Sequence, residues 1–477
     1  MSPSSRNALA GASVVAIFAA AVIRLWVASM TFAADTEEWA LTVLAARDIR
    51  AGHWIATLPG GLRAGPLESV VLTVIGLPFS ESSVLAVWPI LATASVAAVV
   101  WALARTRLAG PWPLVAAALA VIHPASATLS AARPSAGETV TVVIGLAMLV
   151  LVERPSAQPP WWALGLLLGL GWWQSDRIVL FAIPVCVALI ASGRLPSGGS
   201  ALKLGAWTAV GASPWLIRAL IGEGGGGLPS PPEEWGAALR SQWPDLWGRL
   251  IGASSPVDAT PLIPLGVTIA LIISAAMVLA ASLVLARRPR ARFATLLLLP
   301  VTAIAALVSD LDPLLTTALL AAPSALLIVV AVSVLPDQHR ASAAIVVLAV
   351  CTLTTSLTAR TLADAPVDRD DPSALAETLE SAGVTAAYSD DSTALFLELS
   401  RPGIASSTAV YPDDRRDAVA REARRAAHVF WIPGDPERAA AVRDRLNAIA
   451  GPVEEFTVGA YLAVVPIVNV PPESVGP

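Results

Sequence analysis

Within residues 1–359, which are otherwise strongly apolar, charged side chains are concentrated in residues 31–68. This stretch carries five acids and three arginines, namely Asp35, Glu37, Glu38, Asp48, Glu68, Arg47, Arg50 and Arg63. A carboxylate that is half-shielded from water gains proton affinity, which suits a general base. Guanidinium groups match the oxygens of a phosphate. The residue types are therefore compatible with acid–base chemistry on a phosphate-containing substrate.

Each of these residues also has a structural interpretation. The pattern Asp-x-x-Glu that begins at Asp35 fits a helix N-cap, so Asp35 caps the next helix, acts as a base, or does both. Arg47 and Arg50 also suit a solvated face that contacts lipid headgroups. Arg63 lies between Gly-Gly and Ala-Gly-Pro and is the better phosphate ligand. Glu68 opens a short helix, where the helix dipole favours an acid, or aligns a site five residues beyond Arg63.

Two further polar loops interrupt the apolar runs. SAARPSAGE contains Arg133 and Glu138, and WWQSDRI contains Asp176 and Arg177. These loops either line a site or are wet turns between spans. Arg24 lies inside the first apolar run, where a charge requires a partner or a route to the interface.

The composition indicates a polytopic α-helical membrane protein. Of 477 residues, 55% are hydrophobic and 14% are charged, and the mean hydropathy is +0.68, whereas soluble domains have about 25% charged residues. No basic stripe interleaved with aromatics indicates nucleic acid. Cys186 and Cys351 both lie in apolar runs, which argues against a disulfide framework, and the histidines lack ligand spacing. The metal is therefore unknown, and a divalent cation is left open as a cofactor.

A bilayer span needs about 20 mostly apolar residues, and this rule predicts about eleven spans. They lie near residues 8–30, 84–104, 113–129, 138–152, 161–173, 177–193, 204–221, 260–286, 293–309, 313–335 and 341–359. Between them, residues 35–52 and 66–80 are predicted to form juxtamembrane helices in a first outer loop, 31–83. Residues 222–258 form another outer loop, whose tryptophans suit the headgroup level.

Basic residues set the predicted orientation. The arginines and lysine of the short loops fall on one side together with Arg6, and the positive-inside rule makes that side cytoplasmic. The prediction is a multi-pass protein of the cytoplasmic (inner) membrane with its N-terminus inside. Nearly all acids before residue 360 then fall on the outer side. Residues 1–359 form the membrane module, and residues 360–477 form a small extracytoplasmic α/β domain. Its patterns predict helices at SALAETLESAG, STALFLELS, DRRDAVAREARRA (414–426) and DPERAAAVRDRLNAIA, strands at VTAAYS and AHVFWI, and a final strand or hairpin at EFTVGAYLAVV.

The residues of the first outer loop resemble a known family. The sequence is similar to the GT-C superfamily of membrane glycosyltransferases, in particular the bacterial relatives of the aminoarabinose transferases and protein O-mannosyltransferases. The family pattern Asp-Glu-x-x-Tyr-Ala…Ala-x-x-Ile-x-x-Gly is matched by residues 35–40 and 46–52, with Thr36 in place of the second acid and Trp39 in place of Tyr. The family's Gly-x-Leu-Glu segment is matched by residues 65–68.

The resemblance implies an enzyme that transfers a sugar from a polyprenyl-phosphate donor to a glycan, lipid or protein acceptor. It implies Asp35 as the base of an inverting attack and Glu37 or Glu38 as the acid that orients the acceptor. Donor and acceptor binding then falls to Arg63, Glu68, Arg133, Glu138, Asp176 and Arg177. Two alternatives stay open: a non-catalytic membrane scaffold that presents its outer domain to cell-wall partners, and a transporter.

Overall fold

The computed structural model divides the chain into two compact units. Unit 1 comprises Met1–Met30, Trp54–Thr57 and Arg63–Ala365, and unit 2 comprises Thr31–His53, Leu58–Leu62 and Pro366–Pro477. The residues that the structure describes are 2–29, 37–53, 58, 65–76, 81–123, 128, 132, 138–154, 158–220, 296, 298, 301, 313–333, 335–364, 372–381, 383–389, 391–400, 405–408, 425, 429–432, 436–458, 461–466 and 468–470.

The helices up to residue 364 follow the apolar runs of the sequence. They are α1 (Pro3–Ala28), α2 (Glu37–Arg50), α3 (Leu67–Gly76), α4 (Glu81–Arg105), α5 (Trp112–Ile122), α6 (Glu138–Glu153), α7 (Trp161–Gln174), a 3-10 turn (Asp176–Ile178), α8 (Val179–Ala191), α9 (Gly198–Gly211), α10 (Ser213–Leu220), α11 (Pro313–Ser333) and α12 (Asp337–Asp364). Of these, α2 belongs to unit 2 and the others to unit 1.

Within the described part of the chain, three helical stretches are long and apolar enough to cross a membrane, namely Pro3–Ala28, Val87–Arg105 and Asp337–Arg360. The predicted spans 8–30, 84–104 and 341–359 fall on these helices. The predicted spans 260–286 and 293–309 and the outer loop 222–258 lie outside the described residues, except for single positions. The short helix predicted within 66–80 is α3.

Two predicted spans differ from the structure for reasons of backbone chemistry. The span predicted at 113–129 ends as a helix at Ile122, because His123 precedes a proline and adopts an extended conformation with φ −139° and ψ 138°. The span predicted at 204–221 is divided between α9 and α10. Pro214 is the second residue of α10, where its missing N–H is tolerated, but it cannot continue α9.

The early end of α5 explains the charge inside α1. The last carbonyls of a helix have no partner within the helix, and here Arg24 Nη2 donates to the Val121 carbonyl at 3.3 Å. Thr355 Oγ1 from α12 donates to the Ile122 carbonyl at 2.6 Å. Arg24 also bonds the Thr128 carbonyl at 2.9 Å and Thr93 Oγ1 at 2.8 Å. The guanidinium group therefore acts as a cap for a helix that ends inside the bundle.

Glycines bring α7 and α9 into backbone contact. A Cβ atom added at Gly165 would lie 2.3 Å from the Leu204 carbonyl oxygen, and one at Gly169 would lie 2.2 Å from that of Thr208. Gly165 and Gly169 have the small-xxx-small spacing that lets membrane helices approach closely. This pair of helices fixes the position of the turn that follows α7.

The two ends of α6 carry different charge pairs. At its last residue, Glu153 accepts a 2.7 Å hydrogen bond from Arg107 Nε, and Arg194 Nη2 donates to the Val152 carbonyl at 2.6 Å. At its first residue, Glu138 lies 3.7 Å from Arg177. Arg107 and Arg194 therefore lie at one end of α6, and Glu138 and Arg177 lie at the other.

The C-terminal residues of unit 2 form an α/β layer. Its elements are α13 (Pro372–Ser381), β1 (Ala386–Ser389), α14 (Asp391–Ser400), β2 (Ala405–Thr408), β3 (Phe430–Ile432), α15 (Pro436–Ala450), β4 (Val453–Val458) and β5 (Tyr461–Pro466). The strand order is β2-β1-β3-β5-β4. The first three strands pair in parallel, and β5 pairs antiparallel with β3 and β4.

Helices cover the sheet with apolar side chains. One core cluster joins Tyr388 and Trp431 of the strands to Leu446 of α15. The ring centroids of Tyr388 and Trp431 lie 4.9 Å apart. The other joins Leu375 and Leu379 of α13, among others, to Leu397 of α14. These buried side chains make α13 and α14 integral parts of the sheet layer.

Candidate active site

A polar cluster lies at one end of unit 1, where α3 and α6 begin and α7 ends. Its members come from three separate stretches of the chain and are mostly buried, namely Glu68, Ser69, Glu138, Gln174 and Ser175, with Asp176 and Arg177 partly exposed. Buried polar side chains are costly in an apolar bundle unless they are hydrogen-bonded, so such a concentration is a functional-site candidate.

A backbone contact joins the start of α3 to the end of α7. The Gly65 N–H donates to the Gln174 carbonyl at 2.7 Å. A Cβ atom at Gly65 would lie 2.2 Å from the Trp173 carbonyl oxygen and 3.1 Å from the Gln174 Cα atom. Only glycine fits this approach, and Glu68 follows in the first turn of α3. The glycine of the Gly-x-Leu-Glu segment therefore has a packing role here.

The turn after α7 brings an arginine to the cluster. Ser175 is extended and its hydroxyl accepts from the Arg177 N–H at 3.3 Å, which caps the 3-10 turn. Ile178 then packs against Gly171, where a Cβ atom would lie 2.4 Å from the Ile178 side chain. These contacts direct Arg177 toward Glu138, with 3.7 Å between Nη1 and Oε1.

The two buried acids of the cluster share an electrostatic setting. Glu68 is fully buried and Glu138 is 8% exposed, and each lies in the first turn of its helix. The positive end of a helix dipole stabilises a carboxylate there. Arg177 keeps about a third of its side chain exposed, at 34%. The arrangement thus holds two carboxylates in place and leaves one guanidinium group accessible to an anion.

Helix α2 contains three of the acids of the first loop, Glu37, Glu38 and Asp48. Asp35 lies outside the described residues, and Glu37 and Glu38 are the first two residues of this helix. At its other end, Gly52 has φ +91°, the Gly52 N–H bonds the Ile49 carbonyl at 3.1 Å, and the His53 N–H bonds that of Asp48 at 2.9 Å. This is a Schellman cap. The left-handed backbone conformation of Gly52 explains why the Ala-x-x-Ile-x-x-Gly pattern ends in glycine.

The structure thus brings together part of the predicted set of site residues. Glu138 and Arg177 form an ion pair, Asp176 adjoins them, and Glu68 lies one turn from the Gly65 contact. Arg63 and Arg133 lie outside the described residues. Sequence reasoning placed Gln174 in this turn but assigned no role to it, to Ser69 or to Ser175, because a polar residue next to an apolar run carries no signal of burial. Among the described residues, no group of three metal-ligating side chains is present.

No protein-family model and no curated protein sequence matches the chain. Among solved structures, it is similar to ArnT from Cupriavidus metallidurans bound to undecaprenyl phosphate, with a TM-score of 0.62 and 14% identity over 97% of this chain and 98% of that chain. It is also similar to ArnT from the same organism in the apo state, with a TM-score of 0.51 and 13% identity over 97% and 99% of the two chains.

This likeness covers nearly the full length of both proteins. At such low identity it establishes the fold alone. The chain has a GT-C-type fold, and the resemblance based on residues 35–68 is confirmed at that level.

Proposed function

We propose that the protein transfers a sugar from a polyprenyl-phosphate donor to a cell-envelope acceptor at the outer face of the cytoplasmic membrane. The observation that carries the proposal is the likeness, over 97% of the chain, to a protein whose crystal structure contains undecaprenyl phosphate. The buried polar cluster of unit 1 supports it, because a bundle that served only as a scaffold has no need of buried carboxylates and an accessible arginine.

The proposed reaction is an inverting displacement at the anomeric carbon. Asp35 accepts the proton of the acceptor hydroxyl, and the hydroxyl oxygen forms a bond to the anomeric carbon from the face opposite the phosphate. The bond between that carbon and the phosphate oxygen breaks, and polyprenyl phosphate leaves with the bonding electrons. Glu37 or Glu38 orients the acceptor.

The leaving phosphate needs a cation, and arginine presents several donors to its oxygens. Arg177 has the best support among the candidates, because its guanidinium group is held by Glu138 and remains partly exposed. Arg63 and Arg133 stay in the proposal on their sequence positions alone. Glu68, Glu138 and Asp176 are proposed to hold the arginine and the sugar hydroxyls.

The proposed orientation rests on the positive-inside rule. Arg107, Arg154 and Arg194 lie at the end of unit 1 opposite Glu138 and Arg177, because Arg194 Nη1 also donates to the Arg154 carbonyl at 3.3 Å. With the arginine-rich end in the cytoplasm, the polar cluster faces outward. Eleven predicted spans with the N-terminus inside make the C-terminal domain extracytoplasmic in this proposal.

Two measurements test the proposal. Purified protein in detergent is expected to bind undecaprenyl phosphate saturably, as observed by native mass spectrometry, and Arg177→Ala is expected to weaken that binding. A deletion strain is expected to accumulate one lipid-linked sugar, which thin-layer analysis would detect. Complementation with the unaltered gene is expected to remove this accumulation. A strain with unchanged lipid-linked sugars, together with no binding of undecaprenyl phosphate, contradicts transferase function and favours the scaffold.

A further inference from the structure

Helix α2 packs against the C-terminal α/β layer of its own unit, although more than 300 residues separate them in sequence. Ala40, Leu41 and Leu44 form a buried cluster with Leu395 of α14, and Trp39 packs against it. Leu395 is 4% exposed. The apolar side of α2, which the sequence pattern assigned to the membrane interface, therefore contacts protein.

Helix α14 is firmly anchored where it meets α2. Leu397, two residues beyond Leu395, is buried in the sheet core with Leu375, Ile432 and Ala463. Residues two apart on a helix lie about 200° apart around its axis. Leu395 and Leu397 therefore place α14 between the sheet and α2, so a displacement of α14 is transmitted to α2.

A polar contact reinforces the apolar one. Arg47 Nη1 donates to the Glu398 carbonyl at 3.3 Å, and Glu398 is in the last turn of α14. Carbonyls of the last helical turn have no partner within the helix, and a cation is favoured at that end. Arg47 thus caps α14, which gives this arginine a role other than the phosphate or lipid contact inferred from its position in the sequence.

We propose that the C-terminal α/β layer positions α2 and the acids Glu37 and Glu38 at its start. Leu395 and Arg47 are the positioning residues, and they act through α2. The inference rests on the proposed function for its catalytic consequence. Glu37 and Glu38 begin α2, and Leu41 follows Glu37 by about one helical turn, roughly 6 Å along the axis. A tilt of α2 on α14 therefore moves its first turn, and a misplacement of about 1 Å at a reacting centre can lower a rate about 100-fold.

The test compares three variants of the full-length protein. Leu395→Ala removes the contact to α2, and Leu395→Met restores most of its volume. Leu446→Ala is the matched control. Leu446 is also a buried leucine of the same domain, at 0% exposed, but it packs in the core cluster of Tyr388 and Trp431. Hydrogen exchange of the amides in 40–50 reports the docking of α2, and transfer kinetics report its consequence.

Leu395→Ala is expected to raise exchange across α2 and to lower kcat about 10- to 100-fold with little change in the KM for the lipid donor. Leu395→Met is expected to restore both quantities, and Leu446→Ala to lower the melting temperature while leaving kcat within about twofold. Unchanged exchange of α2 in Leu395→Ala overturns the inference, as does an equal fall of kcat in Leu446→Ala. If the unaltered protein transfers no sugar, the proposed function fails, and the exchange data alone still decide whether α14 holds α2.

Discussion

The close approach of α7 and α9 gives a quantitative prediction for Gly169→Ala. The new Cβ atom would lie 2.2 Å from the Thr208 carbonyl oxygen and 2.9 Å from the Ala212 nitrogen, whereas ordinary contact begins at 3.4 Å. Both neighbours are backbone atoms, so the helices must move apart by about 1 Å, and overpacking of this kind costs about 1–3 kcal/mol. The gain in helix propensity offsets at most about 1 kcal/mol. We expect a net destabilisation of about 1–2 kcal/mol.

Gly205→Ala is the matched control for this prediction. Gly205 lies in the same helix pair, but nothing lies within 4 Å of its added Cβ atom, so only the propensity gain of up to about 1 kcal/mol applies. Thermal unfolding of both variants in one detergent is expected to lower the apparent melting temperature for Gly169→Ala and to maintain or raise it for Gly205→Ala. Equal melting temperatures would show that α7 and α9 do not approach as described.

Three further substitutions test other contacts. Arg24→Leu removes three hydrogen bonds from a charged donor but also removes a buried charge. The free energy of unfolding is therefore expected to fall by about 2–3 kcal/mol. A melting temperature equal to that of the unaltered protein refutes the capping role. Gly65→Ala is expected to break the contact with Gln174 and lower transfer at least about tenfold, whereas Gly198→Ala, with open space around it, leaves transfer unchanged. Gly52→Ala places a Cβ at φ +91°, which destabilises the helix end by about 1 kcal/mol. Amide exchange in the last turn of α2 is therefore expected to rise, and unaltered exchange argues against the Schellman cap.

The apolar runs predicted the three described helices that are long and apolar enough to cross a membrane, because length and hydropathy are properties of a single segment. The ends of helices were harder to predict. The span at 113–129 stops at Ile122 because of the His-Pro pair. Its last carbonyls accept hydrogen bonds from Arg24 and Thr355, which are distant in sequence, and the Val121 carbonyl also accepts one from Thr128. The partner of Arg24 was not readable from the chain for the same reason.

The C-terminal layer shows the same contrast. Helices α13, α14 and α15 and strands β1 and β3 follow their patterns, and the segment predicted to be a final strand or hairpin forms β4 and β5. Strand β2 was missed because Ala405–Thr408 contains small and polar residues without alternation. It is a strand because it pairs in parallel with β1. The helix predicted at 414–426 lies outside the described residues except for Arg425.

For the candidate site, the sequence named candidate residues but did not indicate how they come together. Glu68, Glu138 and Arg177 were named from their residue types, but their common location depends on how α3, α6 and α7 pack. The role of α2 was misread in one respect. Its pattern of Trp39, Leu41 and Leu44 suits a membrane interface and a protein surface equally well, and its contact with Leu395 was therefore not predictable from local sequence.

The most direct test of the proposed reaction is the rate of sugar transfer by Asp35→Asn in membranes that contain the native lipid-linked sugars. The substitution preserves size and the ability to cap a helix but removes the base. Transfer is expected to fall about 10²- to 10⁴-fold, while Glu377→Gln, an exposed acid in α13, is expected to retain full activity. Full transfer activity in Asp35→Asn would contradict the assignment of Asp35 as the general base and, with it, the proposed mechanism.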